Sequence, residues 1–227
     1  MPKRALIQKR PWLVASLVAS ISYYFVRNGA VPDLFEWLLK GAGVALLVVY
    51  ALARHGGNDS RTIAAVMACG ALGDVLIEYR MEAGAAAFLV GHLVAMALYL
   101  RHRRTALAAS QRLLALVLLV AIPVIAWLLP ADRGAALPVA FYSLALAGMV
   151  ACAWTSSFSR YQVGLGAVMF AVSDLLIFAR MGPLADSIVP NLLIWPLYYF
   201  GQFLICTGVV GELRRRSGAT KHGIQAL

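Results

Sequence analysis

Leu72-Gly73-Asp74-Val75-Leu76-Ile77-Glu78-Tyr79-Arg80-Met81 is answered 100 positions later by Val172-Ser173-Asp174-Leu175-Leu176-Ile177-Phe178-Ala179-Arg180-Met181. Each copy holds an Asp in apolar sequence, preceded by a Gly or Ser and followed by Arg-Met six and seven positions on. An ionised Asp at the centre of a membrane helix costs roughly 2.5–3.5 kcal/mol on insertion scales. A chain that carries two at equivalent places has a use for them.

Of the 227 residues, 62% are hydrophobic and 13% charged, with a mean hydropathy of +0.79. A soluble domain carries about a quarter charged residues, so this composition belongs to an integral membrane protein. The 20 Lys and Arg against 10 Asp and Glu fall mostly between apolar stretches, which suits loops facing an anionic leaflet. No soluble basic domain is present to make a nucleic-acid surface. Cys69, Cys152 and Cys206 lie inside apolar stretches without metal-ligand spacing and read as small buried hydrophobes.

A span needs about 20 apolar residues. The sequence offers eight, at roughly 11–26, 34–53, 62–79, 83–100, 111–129, 135–155, 161–179 and 189–211. The class is therefore all-α: one integral membrane domain over 1–227, a polytopic bundle of eight helices. Basic residues before Pro11 resemble the start of a signal peptide. The chain stays apolar to its end, however, and Trp12 with Tyr23 and Tyr24 brackets the first run like an interfacial belt, so a retained helix is expected. Disorder is expected only in the first few residues and after Glu212.

One set of loops and ends collects Lys3, Arg4, Lys9, Arg10, Arg54, Arg61, Arg101, Arg103, Arg104, Arg112, Arg160, Arg214, Arg215, Arg216 and Lys221. The other set has Arg27, Arg80, Arg133 and Arg180, while Lys40 falls within a span. The positive-inside rule then puts both termini in the cytoplasm. Asp74 on the third helix and Asp174 on the seventh run outward together, each ~9 Å short of its terminal Arg. Two four-helix repeats in parallel orientation would set them at one depth. Gly70, Gly73, Gly164 and Gly166 let helices approach closely there, and Pro123 and Pro196 free carbonyls that need other partners.

Asp74 and Asp174 are the leading candidates, because intramembrane ionisable groups mark functional sites by default. The structural alternative is a protonated Asp bonded to a neighbouring helix, or a pair with Arg80 or Arg180. Two carboxyls sharing a site titrate apart, leaving one acid and one base. Hydrolases that pass through oxocarbenium-like states use such a pair. Glu78 stands one turn above Asp74 as a site member or a mouth residue. His92 lies midway along the fourth helix, as a base or an interhelical hydrogen-bond partner. Tyr142 on the sixth helix has a depth similar to the two Asp residues. The eighth helix carries Tyr198, Tyr199 and Gln202, of which Tyr199 and Gln202, three apart, share a face. There is no phosphate loop, no Ser nucleophile elbow and no HExxH, and one intramembrane His cannot complete a two-His-plus-carboxylate metal site.

Gly73-Asp74, Gly91-His92, Tyr142, Ser173-Asp174 and Tyr199 with Gln202 together resemble the YhhN-like family of membrane proteins, the lysoplasmalogenases. The likeness covers helices three to eight; the first two match in hydropathy only. Where the family often has an aromatic one turn after the helix-four His, Ala95 stands here. The resemblance implies an eight-helix ether hydrolase that cleaves the vinyl ether of a lysoplasmalogen (lysoplasmenylcholine or lysoplasmenylethanolamine) to a fatty aldehyde and a glycerophospho-head group. It implies Asp74 and Asp174 as catalytic residues. Glu78, His92, Tyr142, Ser173, Tyr198, Tyr199 and Gln202 would line the substrate, and no metal or other cofactor is called for. Its partners would be the lysophospholipid and surrounding membrane lipids, with no nucleic acid, and its place would be the cell (inner) membrane if the source is bacterial. A small proton-coupled transporter and a non-enzymatic lipid-binding protein are the alternatives, since buried carboxylates and parallel repeats also mark transport paths.

Overall fold

The computed structural model of the chain describes residues 10–27, 29 and 32–224, with side chains to Gly218. Lys3, Arg4, Lys9 and the Lys221 side chain lie outside the described residues. The helices are α1 (Pro11–Val26), α2 (Asp33–Arg54), α3 (Asn58–Tyr79), α4 (Met81–Arg101), α5 (Ala109–Leu128), α6 (Arg133–Thr155), α7 (Leu165–Arg180) and α8 (Val189–Ile224). A π-helical turn, Arg160–Gly164, leads into α7. No strand occurs among the described residues, only an isolated bridge between Arg103 and Ser156.

Seven of these helices are long and apolar enough to cross a membrane, α7 counted together with its π turn. α1 is shorter, with 16 residues, a length of ~24 Å against a hydrocarbon core of ~30 Å. Large apolar side chains face outward along the bundle, most densely on α5, where Leu113, Leu116, Val120, Val124 and Leu128 are all exposed. Such a belt is compatible with lipid and not with water. The chain is an integral, multi-pass membrane protein.

Sequential helices pack as neighbours through short connections, except α4 and α5, which barely touch because α4 packs on α6 instead. α2 also packs on α8, and α4 on α6. A two-fold axis along the bundle that exchanged the first four helices with the last four would convert one of these contacts into the other. Val44, Leu47, Met67, Leu98, Val150, Val163 and Val209 fill the shared core. Glycines set the closest approaches. A Cβ on Gly84 would lie 2.5–2.8 Å from Ile77 of α3, and one on Gly166 would lie 2.7 Å from the Gly201 carbonyl of α8.

Three expectations change. α8 does not end near 211, and the residues after Glu212 continue it to Ile224. Hydropathy marks where apolar sequence stops, but not where a helix does. Here Glu212 pairs with Arg215 at 2.5 Å and Arg216 at 2.8 Å within the helix, the i,i+3 and i,i+4 contacts that favour helical backbone. Tyr23 belongs to no interfacial belt. It is buried, its ring 4.4 Å from that of Trp195. The seventh span opens with a π turn, at the point where Gly164 packs against Trp154.

The basic residues gather at one end. His102 Nε2 lies 2.7 Å from Asp59, and Arg216 reaches Ser157 Oγ at 2.9 Å and His102 Nδ1 at 3.1 Å. Ser217 meets His55 at 2.9 Å. Both Asp-bearing helices point toward the opposite end, where the Ala131 amide donates to the Met181 carbonyl at 3.0 Å.

Candidate active site

Asp74 and Asp174 are 2% and 7% exposed. A buried carboxyl needs hydrogen-bond partners, and each has a phenol. Tyr198 of α8 donates to Asp74 Oδ2 at 2.8 Å, and Tyr142 of α6 donates to Asp174 Oδ2 at 2.8 Å. Since the Tyr142 proton is directed at Asp174, its oxygen accepts from His92 Nε2, 3.0 Å away on α4. His92, Tyr142 and Asp174 thus form one chain across three helices.

The glycines of the first copy serve this arrangement. A Cβ on Gly73 would stand 2.8 Å from the Phe88 ring, and one on Gly70 2.7 Å from the Gln202 amide and 3.3 Å from the Tyr198 hydroxyl. Bare backbone at both positions admits the groups that surround Asp74. In the second copy Ser173 donates to the Ile194 carbonyl at 2.9 Å, tying α7 to α8. Ser173 is therefore a helix-to-helix tie.

Two aromatic residues not singled out in the sequence occupy the centre. Phe88 and Phe170 lie 5.9 Å apart, edge to face. Their rings are 5.7 and 5.2 Å from Tyr198, and Phe170 is 5.1 Å from His92. The signal was available, since Phe88 and Phe170 each stand four residues before a candidate, His92 and Asp174, on the same helical face.

Tyr199 departs from expectation. It does not share a face with Gln202 toward the carboxylates; its hydroxyl meets Ser16 of α1 at 2.8 Å, and its ring stacks on Trp195. One residue of helix turns a side chain by about 100°, so Tyr198 and Gln202, four apart, take the face toward Asp74 and Tyr199 is turned away. Gln202 lies beside the Tyr198 hydroxyl. Pro196 leaves the Leu192 carbonyl without its helical donor, and Tyr24 supplies one at 3.3 Å. Glu78 forms an ion pair with Lys40, which places it at the mouth and gives the intramembrane lysine its counter-charge.

Asp174 opens on a cavity, whereas Asp74 lines none of those described. One of about 340 Å³, between α3, α4, α6 and α7, is walled by Phe88, Val139, Phe178 and Met181, with Tyr142 and Asp174 in its lining. Another, of about 330 Å³, is lined by Arg27, Lys40, Glu78, Arg180, Asn191 and Trp195. Ile77, Met81 and Ile177 line both and form the partition. A third, of about 20 Å³, is bounded by His92, Gln202, Tyr99 and Phe170, with Ala95 also in its wall; the small side chain at 95 leaves that space open. Among the described residues no three His, Cys, Asp or Glu cluster as a metal site.

The bundle and its two phenol-held carboxyls define a polytopic membrane protein with a buried polar centre in one half of its thickness. The YhhN family matches residues 35–209, and the chain belongs to that family. The match takes in nearly all of α2, beyond the helices whose motifs carried the resemblance. Neither a curated protein nor a solved structure matches the chain.

Proposed function

We propose that the chain is a lysoplasmalogenase, an ether hydrolase that converts a lysoplasmalogen and water to a fatty aldehyde and a glycerophospho-head group. The observation that carries the reading is the pair of buried carboxyls, each held by a tyrosine hydroxyl at 2.8 Å. Membership of the YhhN family supports it.

Vinyl ether hydrolysis begins with proton transfer to the carbon distal to oxygen, which leaves an oxocarbenium ion. One of Asp74 and Asp174 supplies that proton and the other, as carboxylate, stabilises the cation. Water adds to the cationic carbon and gives up a proton to the carboxylate. The hemiacetal then collapses to aldehyde and alcohol, and the proton count is restored. General acid–base assistance of this kind contributes typically 10²–10⁴ in rate. The small cavity at His92 and Gln202 has room and polar partners for one water molecule.

The cavities suit a one-chain lipid. The apolar one over Asp174 takes the hydrocarbon chain. The one holding Arg27, Lys40 and Arg180 takes the phosphate of the head group, which arginine binds well. The enol ether then lies at the Ile77–Met81 partition, one turn above Asp74. All eight helices cross the membrane as a single domain, with the basic end and both termini cytoplasmic and the cavities of about 330 and 340 Å³ toward the outer leaflet. Local thinning of the bilayer accommodates α1.

Aldehyde release from lysoplasmenylethanolamine by purified protein in detergent tests the activity. Asp74→Asn and Asp174→Asn are each expected to lower it by at least ~10². No turnover of any lysoplasmalogen by the folded wild type would overturn the reading and leave transport, assayed by proton-driven uptake into liposomes. Reporter fusions that put the termini on opposite sides would overturn the topology.

A further inference from the structure

We propose a second site, at the basic end and remote from the carboxyls, that binds an anionic phosphate group. The cavity there is the largest described, about 660 Å³, between the α6–α7 junction and α8. Its lining includes Arg104, Arg160 and Arg215, the Ser157–Ser159 loop and Gly211.

The cavity is built from the backbone outward. Arg104 braces the loop, its Nε donating to the Ser156 carbonyl at 2.7 Å and an Nη to the Phe158 carbonyl at 3.0 Å. Phe158 is fully buried beneath. On the opposite wall a Cβ at Gly211 would meet nothing within 4 Å, so the helix offers open space where most residues would fill it.

Cations outnumber anions in this space. Glu212 is the one acid in the lining, and it pairs with Arg215 and Arg216. Arg160 keeps its terminal nitrogens toward the Gln111 amide, while its Nε is buried without a hydrogen-bond partner. Burial and the nearby Arg160 guanidinium hold Arg104 below the usual arginine range. A phosphate group relieves that repulsion and supplies the acceptors that guanidinium forks match. Tyr161 in the lining and Leu165, four residues on, are both exposed, which sets the cavity at the lipid boundary, where a phospholipid head group can reach it. A soluble phosphate offers the same chemistry, and experiment separates the two.

The test uses the full-length protein purified in detergent, with retained phosphatidylglycerol and phosphatidylcholine counted by native mass spectrometry. Wild type is expected to retain phosphatidylglycerol preferentially. Arg160→Gln and Arg215→Gln should each weaken that retention about fivefold. Gly211→Leu fills the cavity without changing charge and should weaken it as well, whereas Arg133→Gln at the other end should not. Thermal melting in inorganic phosphate forms the second arm. Stabilisation by phosphate that Gly211→Leu abolishes, without selective lipid retention, assigns the site to a soluble anion. Where Arg160→Gln fails to fold, Gly211→Leu decides. Unchanged lipid retention and unchanged phosphate response in folded Gly211→Leu would overturn the proposal.

Discussion

Tyr198 on α8 donates to Asp74 on α3 at 2.8 Å, while its neighbour Tyr199 bonds Ser16 on the far side of the same helix. The two phenols therefore test different things. Tyr198→Phe removes a hydrogen bond to an ionisable group, worth about 1.5–3 kcal/mol, and should lower kcat roughly 10- to 100-fold as well as the melting temperature. Tyr199→Phe should leave kcat within about twofold and show its effect in thermal stability. The reverse pattern would detach Tyr198 from the chemistry.

If Asp74 and Asp174 act as one unit, their losses are non-additive. The Asp74→Asn/Asp174→Asn double variant should be within about tenfold of the worse single variant in kcat/KM. Fully multiplicative losses would show two independent roles.

The apolar cavity over Asp174 predicts a chain-length effect. Ala85 lines it, and Ala85→Trp should raise KM for long-chain substrates while leaving short-chain turnover nearly intact. A uniform fall in kcat across chain lengths would argue that the hydrocarbon lies elsewhere.

Packing between α3 and α4 depends on Gly84. Its Cβ would meet Ile77 backbone atoms at 2.7–2.8 Å, which cannot yield as a side-chain tip does. Gly84→Ala should destabilise by about 1–3 kcal/mol, read as a lower melting temperature. Gly211→Ala, in open space, is the matched control and should melt like wild type.

At the basic end, Arg216 reaches His102, Ser157 and Glu212, with its guanidinium 5.4 Å from the centre of the Phe158 ring. Truncation after Arg216 should leave specific activity nearly unchanged, whereas Arg216→Ala should lower the melting temperature by ~3 °C, the effect of ~1 kcal/mol in a chain of this size. Equal effects from both changes would place the stabilising contacts beyond residue 216.

Sequence alone determined that the chain is an all-α membrane bundle and that Asp74 and Asp174 are its unusual residues. Both follow from local facts: a helix in lipid must be apolar over its span, and a carboxyl there is costly wherever it points. Period and spacing also marked Gly70 and Gly73, because small residues are needed where helices approach. Tertiary structure decided which partner each carboxyl takes. Tyr198 and Tyr199 are adjacent phenols of the same depth, and only the rotation of α8 against α3 selects the first. Lys40 falls within a span, and only the packing of α2 on α3 brings it to its counter-ion Glu78, 38 residues on. Phe88 and Phe170 are unremarkable in an apolar sequence. They acquire a role from packing on Tyr198, which holds Asp74, and on His92, which joins Asp174 through Tyr142, although the chain keeps those two carboxyls 100 residues apart.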